Sequence, residues 1–366
     1  MLSELQPIWK ILIAFAVSIL ISFVVTPAVK SFAFKVGALD VPKDARRMHN
    51  HPIPRLGGLA IFVAFILSVL LSADINRQVQ GILLGSVVIA VVGVVDDMIC
   101  LPPLVKMAGQ ILAAGIAIYC GVVIDNMSNP NFFSDIQFLS LGLWSIPITL
   151  IWIVGVTNSV NLIDGLDGLA VGVSAIASIT MLVISIVLEQ SNVAIILAAL
   201  AGACIGFMPY NLNPAKIFMG DTGALLLGYV LATVSVIGLF KFYAIITFLV
   251  PFIVLGLPIF DTVFAICRRL ANGKNPLSAD RGHFHHRLID MGLSQKQAVA
   301  VLYAISAILG ASAVLITTNG ELKALILIVA FFVALTLGWF VKKSMRDKLR
   351  QEQMESQTKE QGNQEE

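Results

Sequence analysis

Charge is scarce in this 366-residue chain: only 13% of its residues are Asp, Glu, Lys or Arg, about half of what a soluble domain carries. With 58% apolar residues and a mean hydropathy of +0.91, too little polar surface remains to face water, which excludes a soluble globular fold. A disordered or collagen-like chain is excluded on the same composition. A net charge of +2 lacks the basic field that nucleic acid requires, so no nucleic-acid partner is expected. The four cysteines, Cys100, Cys120, Cys204 and Cys267, form no Cys-x-x-Cys pair. Neither a zinc site nor a disulfide framework is indicated, and packing is their expected role. No fixed-period repeat is visible.

What the chain does have is long uncharged runs. The first, 11–29, spans roughly 30 Å of hydrocarbon as a helix and is too long for a cleavable signal segment. Similar windows fall at 56–72, 79–95, 107–124, 144–160, 169–188, 193–209, 223–239, 245–266, 297–318 and 323–341. The expected fold is an all-α polytopic integral membrane protein of about eleven transmembrane helices, one membrane-embedded domain over 1–341. The tail, 342–366, begins basic and ends in Gln and Glu without an apolar anchor, so it is expected to be partly disordered. In and just after the longest outward loop, 125–142, the alternating tract Phe138–Trp144 fits either an interfacial segment or a small hairpin.

Alternate loops divide the cations very unequally. One side holds six Lys and Arg in 30–55, Lys106, Lys216, six in 267–296 and six in the tail, twenty of the 24; the other holds Lys10, Arg77, Lys241 and Lys323. The positive-inside rule makes the first side cytoplasmic, with the N-terminus outside and the C-terminus inside.

That same side collects the polar residues that apolar spans rarely tolerate. Asp96-Asp97 close the third span, Asn158-x-x-Asn161-x-x-Asp164-x-x-Asp167 closes the fifth, Asp221 precedes the eighth and Asp261 closes the ninth. Each ionisable group at membrane depth costs about 2.5–3.5 kcal/mol on insertion scales, so this clustering implies a hydrated acidic cleft in the loops 30–55, 96–106, 158–168, 210–222 and 267–296. Adjacent Asp96 and Asp97 raise one another's pKa unless a metal or a base such as Lys106 compensates; a solvated helix end is the plainer reading. Polar residues every third position from Asn158 to Asp167 align oxygens that suit a hard divalent cation, whereas an ordinary interhelical turn needs no such row. Asp221, at a helix N-terminus, serves as a cap, a metal ligand or both. His283, His285 and His286 lie within four residues beside Arg281 and Arg287; no cysteine or extra carboxylate stands at a familiar zinc spacing, His beside Arg equally suits diphosphate, and a solvated loop is the plainer reading. Arg46, His49 and Arg55 add cations at the same face, before Gly57-Gly58.

Taken in order, Arg46-Arg-Met-His49…Pro54-Arg55-Leu-Gly-Gly, Asp96-Asp97, Asn158…Asn161…Asp164-Gly-Leu-Asp167-Gly-Leu-Ala, Phe218-Met-Gly-Asp221-Thr-Gly and His283-Phe-His285-His286-Arg287 resemble the motifs of the polyprenyl-phosphate N-acetylhexosamine-1-phosphate transferases, glycosyltransferase family 4. These are integral membrane enzymes that begin envelope glycan synthesis. The stretch Ser278-Ala-Asp280-Arg281-Gly-His283-Phe-His285-His286 is similar to the branch that moves GlcNAc-1-phosphate from UDP-GlcNAc to undecaprenyl phosphate for teichoic-acid, O-antigen or related polymers. The muramoyl-pentapeptide branch carries His-His-His-Phe-Glu instead and is the alternative. Ala224 departs from the Ser that many relatives have there.

The resemblance implies a bacterial plasma-membrane enzyme with its site on the cytoplasmic face, and it leaves room for a homodimer. It implies Mg²⁺, with Mn²⁺ as a substitute, held by Asn161 and Asp221. Asp96, Asp97, Asp164, Asp167, His283, His285 and His286 are the candidate catalytic residues; Lys106, Asn158, Asn161, Arg46, His49, Arg55 and Arg281 are the candidate substrate-binding ones. A transporter or flippase is the rival of another class, but it calls for carboxylates near the bilayer midplane rather than at one interface.

Overall fold

The computed structural model describes residues 6–41, 51–128, 138–238, 249–273 and 283–318, with isolated positions beyond. Through them run the helices α1 (Pro7–Val36), α2 (Gly58–Ser72), α3 (Arg77–Ile99), α4 (Pro103–Tyr119), α5 (Ser145–Leu162) and α6 (Leu169–Val187). They continue as α7 (Ser191–Asn211), α8 (Gly220–Gly238), α9 (Leu249–Val254), α10 (Gly256–Ala271), α11 (Phe284–Asp290) and α12 (Gln295–Thr317). Two short antiparallel ribbons join β1 (Leu39–Asp40) to β2 (Ile53–Pro54), and β3 (Asn126–Ser128) to β4 (Phe138–Ser140). Of the tract 138–144, only Phe138–Ser140 is a hairpin strand; Gly142–Trp144 forms a single 3-10 turn instead. Seven helical segments among the described residues are long and apolar enough to cross a membrane, so the chain is an all-α polytopic membrane protein.

Nine of the predicted windows coincide with α1 to α8 and α12. The described part of the window 245–266 is corrected to two helices, α9 and α10, which break at Leu255. Pro258 has no N–H for the carbonyl of residue 254, and its ring would strike that carbonyl, so the helix stops and restarts one turn earlier. Most of 323–341 and of the tail lies outside the described residues. Of the cysteines, only Cys204 is a buried packing residue; Cys100 and Cys267 are exposed.

Helix α8 is the axis of the bundle. Every residue from Thr222 to Gly238 is buried, with α2, α3, α5, α6 and α7 packed around it. On the outside, α1 lies along α7, where Ser18 and Ser22 donate to the carbonyls of Ala199 and Ala203 at 2.6 and 2.8 Å and small residues bring the backbones together. Backbones also meet closely between α2 and α8. A Cβ on Gly58 would overlap the backbone of Gly223, and neither helix can give way cheaply there. Gly58→Ala is therefore expected to lower stability by about 3 kcal/mol. Gly115→Ala, whose added carbon meets open space, should be neutral or slightly stabilising. Unfolding midpoints of the two purified variants check the contrast.

The alternation of helices leaves the bundle with two chemically different ends. At one, Lys10 pairs with Asp74 at 3.4 Å, Asp74 N–H donates to Asn192 Oδ1 and Arg77 donates to the Tyr119 carbonyl. The other gathers the C-terminal ends of α3, α5 and α7 with the N-terminal ends of α2, α4, α6 and α8, and every predicted site residue that is described lies there.

Candidate active site

Two of the sequence motifs are zipped together by backbone hydrogen bonds. Phe218 N–H donates to the Pro54 carbonyl at 2.8 Å, Gly57 N–H to Phe218 at 3.0 Å and Gly58 N–H to Met219 at 2.8 Å. The segment after β2 that carries Arg55 is thus laid along the segment that opens α8. Gly220 turns that segment with φ +71°, and a side chain there would collide with the Arg55 carbonyl and the Asp97 carboxylate.

Asp97, in the last turn of α3, meets the buried start of α8. Its Oδ1 accepts Asp221 N–H at 2.9 Å, and its Oδ2 accepts Thr222 N–H at 3.0 Å and the Thr222 hydroxyl at 2.7 Å. Arg55 stands 3.5 Å from Oδ1. The carboxylate is therefore a cap for the first amides of α8 supplied from a different helix. Its neighbour Asp96 faces the other way: Oδ1 accepts Leu101 N–H at 2.7 Å and Oδ2 holds Lys106 Nζ at 2.7 Å. Lys106 Nζ also lies 2.9 Å from Asp221 Oδ2 and so bridges two carboxylates.

The turn between α5 and α6 completes the cleft. Asn158 pairs head to tail with Gln110 of α4: its Nδ2 donates to Gln110 Oε1 at 2.5 Å, and Gln110 Nε2 donates to Asn158 Oδ1 at 3.3 Å. Asn158 thus ties α5 to α4. Asn161 is half-buried one turn further on. Asp167 is fixed by Asn213 Nδ2 at 2.9 Å and Ala215 N–H at 3.0 Å, and Asn213 also donates to Gln295 Oε1 at the head of α12. Asp164 is half-buried and faces charges of its own sign. Burial first, then Asp221, Asp97 and Asp167, push its carboxyl up to about 8.

The histidines reach this turn from α11. His283 Nδ1 lies 2.9 Å from Asp261 Oδ2, and its ring stacks parallel to that of His285 with centroids 5.8 Å apart. His285 is 3% exposed and lies against Gly165, where a Cβ would overlap its imidazole. Burial, then the neighbouring His286, hold the His285 pKa down at about 4. An unfolded chain protonates this ring near 6.5, so its contribution to stability is complete above about pH 6.5 and is lost as pH falls toward 4. Wild-type protein is expected to lose up to roughly 3 kcal/mol more than His285→Gln over that window. Unfolding midpoints of both proteins at pH 7.5, 6 and 5 measure the difference; parallel curves would remove the buried neutral ring from the account.

Asp96, Asp97, Asp164, Asp167, Asp221, Lys106, Asn158, Asn161, Arg55 and the three histidines thus share one end of the bundle, while Arg46, His49 and Arg281 lie outside the described residues. Sequence reading missed Gln110, Asn213 and Thr222. A lone amide in the apolar run of α4 was the available signal for Gln110; the other two look like ordinary loop and helix-start residues. Among the described residues no three His, Cys, Asp or Glu side chains form a ready metal cage. Even so, the donor set fits a hard divalent ion. Three carboxylates, Asp96, Asp97 and Asp221, engage Lys106 and Arg55, while Asp164 is repelled by Asp221, Asp97 and Asp167. Mg²⁺ is commonly held by one or two protein oxygens together with substrate phosphates, which needs no cage.

The glycosyl transferase family 4 model matches residues 79–239, from α3 through the end of α8. The probable undecaprenyl-phosphate N-acetylglucosaminyl 1-phosphate transferase of Bacillus subtilis is 42% identical to this chain, over 84% of it and 85% of the relative. The chain belongs to this family. This family 4 transferase is also 33% identical to the decaprenyl-phosphate N-acetylglucosaminephosphotransferase of Mycolicibacterium smegmatis, over 87% of the chain and 85% of the relative. The pentapeptide branch is similar too: a phospho-N-acetylmuramoyl-pentapeptide-transferase of Staphylococcus aureus is 29% identical over 82% of the chain and 95% of the relative, below the 42% identity to the Bacillus subtilis protein.

Proposed function

We propose that this transferase moves GlcNAc-1-phosphate from UDP-GlcNAc to undecaprenyl phosphate and releases UMP. The observation that carries the reading is the Lys106 bridge between Asp96 and Asp221, an ammonium held among carboxylates at one end of an apolar bundle. A donor that stays in water and an acceptor whose tail stays in the bilayer meet only at such an end. The twenty-to-four division of cations favours the cytoplasmic face of the plasma membrane, eleven spans, an outer N-terminus and an inner C-terminus.

In the reaction an oxygen of the lipid phosphate forms a bond to the sugar-linked phosphorus, and the bond from that phosphorus to UMP breaks. The attacking phosphate has a second pKa near ~6 and is largely dianionic at neutral pH, so no strong base is required. Lys106, freed in part from its carboxylates, neutralises diphosphate oxygens, and Asp96 keeps it aimed. Arg55, fixed by Asp97, adds charge at the cleft rim. Asp164 and Asp167 orient the donor's polar groups, and His286, less buried than His283 and His285, contacts the diphosphate. Asp221 and Asn161 would hold Mg²⁺, which when bound draws charge from the diphosphate oxygens.

The test is exchange of labelled UMP into UDP-GlcNAc by purified protein with undecaprenyl phosphate, beside a UDP-MurNAc-pentapeptide donor. Exchange that needs the lipid and a divalent ion and prefers UDP-GlcNAc supports the reading. Preference for the pentapeptide donor would move the protein to the sister branch, and no exchange by folded protein would reject a transferase role.

A further inference from the structure

Asp261 lies in α10, just beyond the break in the ninth span, and is 2% exposed. A carboxylate so deeply buried is tolerated only when its oxygens are satisfied. Both are engaged by consecutive residues of another element: Oδ2 by His283 Nδ1 at 2.9 Å and Oδ1 by Phe284 N–H at 2.8 Å. An ionised carboxylate only accepts, so His283 must carry its proton on Nδ1. The second bond caps α11, whose own N-cap residue, His283, provides no side-chain cap. A helix of seven residues does not hold its shape alone, so its placement depends on such anchors. From Asp261 the contacts run through His283 to the parallel ring of His285 and on to Gly165, in the turn that carries Asp164 and Asp167.

We infer that Asp261 is a positioning residue: it fixes His283 with Nδ1 protonated and Nε2 free as an acceptor, and it anchors α11 so that His285 stays on the Asp164–Asp167 turn. Its kinetic consequence rests on the transferase reading; the tautomer itself does not. This separates Asp261 from a simple cap. In Asp261→Asn the amide oxygen can still accept Phe284 N–H, but the amide nitrogen donates to His283 Nδ1 and drives the ring proton to Nε2.

The full chain, labelled with ¹⁵N-histidine and held in nanodiscs at pH 8, reports the tautomer directly, because protonated and bare ring nitrogens differ widely in chemical shift. His283→Gln assigns the signal by its loss. Expected are a protonated Nδ1 at His283 in wild type, the opposite tautomer in Asp261→Asn, an unchanged unfolding midpoint, and a kcat about 10- to 100-fold lower at an unchanged KM for UDP-GlcNAc. A wild-type His283 with bare Nδ1, or an Asn variant with full kcat, overturns the proposal. If Asp261→Asn does not fold, the wild-type spectrum alone decides. If the protein transfers no sugar phosphate at all, that failure belongs to the functional reading, and the spectrum still tests the positioning.

Discussion

Asp221→Asn is expected to abolish UMP exchange, by about a thousandfold or roughly 4 kcal/mol of transition-state stabilisation, while leaving the protein folded. The asymmetry follows from what each atom of Asp221 does. Its backbone N–H is held by Asp97 at 2.9 Å, and that bond is indifferent to the side chain. Its Oδ2 accepts Lys106 at 2.9 Å, and an amide oxygen can take over that bond. What Asn cannot supply is the negative charge, on which both the aim of Lys106 and the affinity for a divalent ion depend. A second readout separates those uses. Wild-type protein should gain thermal stability from Mg²⁺ with UDP-GlcNAc, since a ligand that binds only the folded state stabilises it, and the variant should gain little. An Asn variant that retains exchange and the Mg²⁺ response would place the cation on other oxygens.

How much of this site was legible in the sequence depends on the range of each interaction. The carboxylates, the cations and their common side follow from apolar runs and loop charges, which are local or additive properties. Periodicity could not show that Asp96 and Asp97, adjacent in sequence, point to different partners, one to Lys106 and the other to α8 more than a hundred residues away. Nor could it show that Asn158 is engaged with Gln110, because a polar residue every third position says which face is polar and not what meets it. The break at Leu255 was readable in principle from Pro258, but the apolar window across 245–266 outweighed one residue. Gly58 and Gly223 illustrate the same limit. Each looks like an ordinary small residue until two backbones are brought together.

The opposite pattern to Asp221 is expected at Asp97. Asp97→Ala should lower stability by about 3–5 kcal/mol, enough to unfold much of a marginally stable protein, and activity should fall only in proportion to the folded fraction lost or displaced. The side chain is fully buried and accepts three hydrogen bonds at the N-terminus of α8, where Thr222 is itself 0% exposed and water cannot take over. Removing the carboxylate leaves two helix amides and a hydroxyl unsatisfied, and it leaves the Arg55 guanidinium without its partner at 3.5 Å. Because α8 is buried from Thr222 to its end, a displaced first turn is transmitted to Asp221 and, through the Phe218–Met219 ladder, to the segment that carries Arg55. Asp97→Asn keeps one acceptor and should cost about half as much, with kcat per folded molecule changing far less than in Asp221→Asn. Chemical unfolding in detergent beside exchange assays, normalised to folded protein, distinguishes the two aspartates. If Asp97→Ala unfolds like wild type yet is inactive, the carboxylate acts on substrate, and α8 is held in place by its neighbours alone.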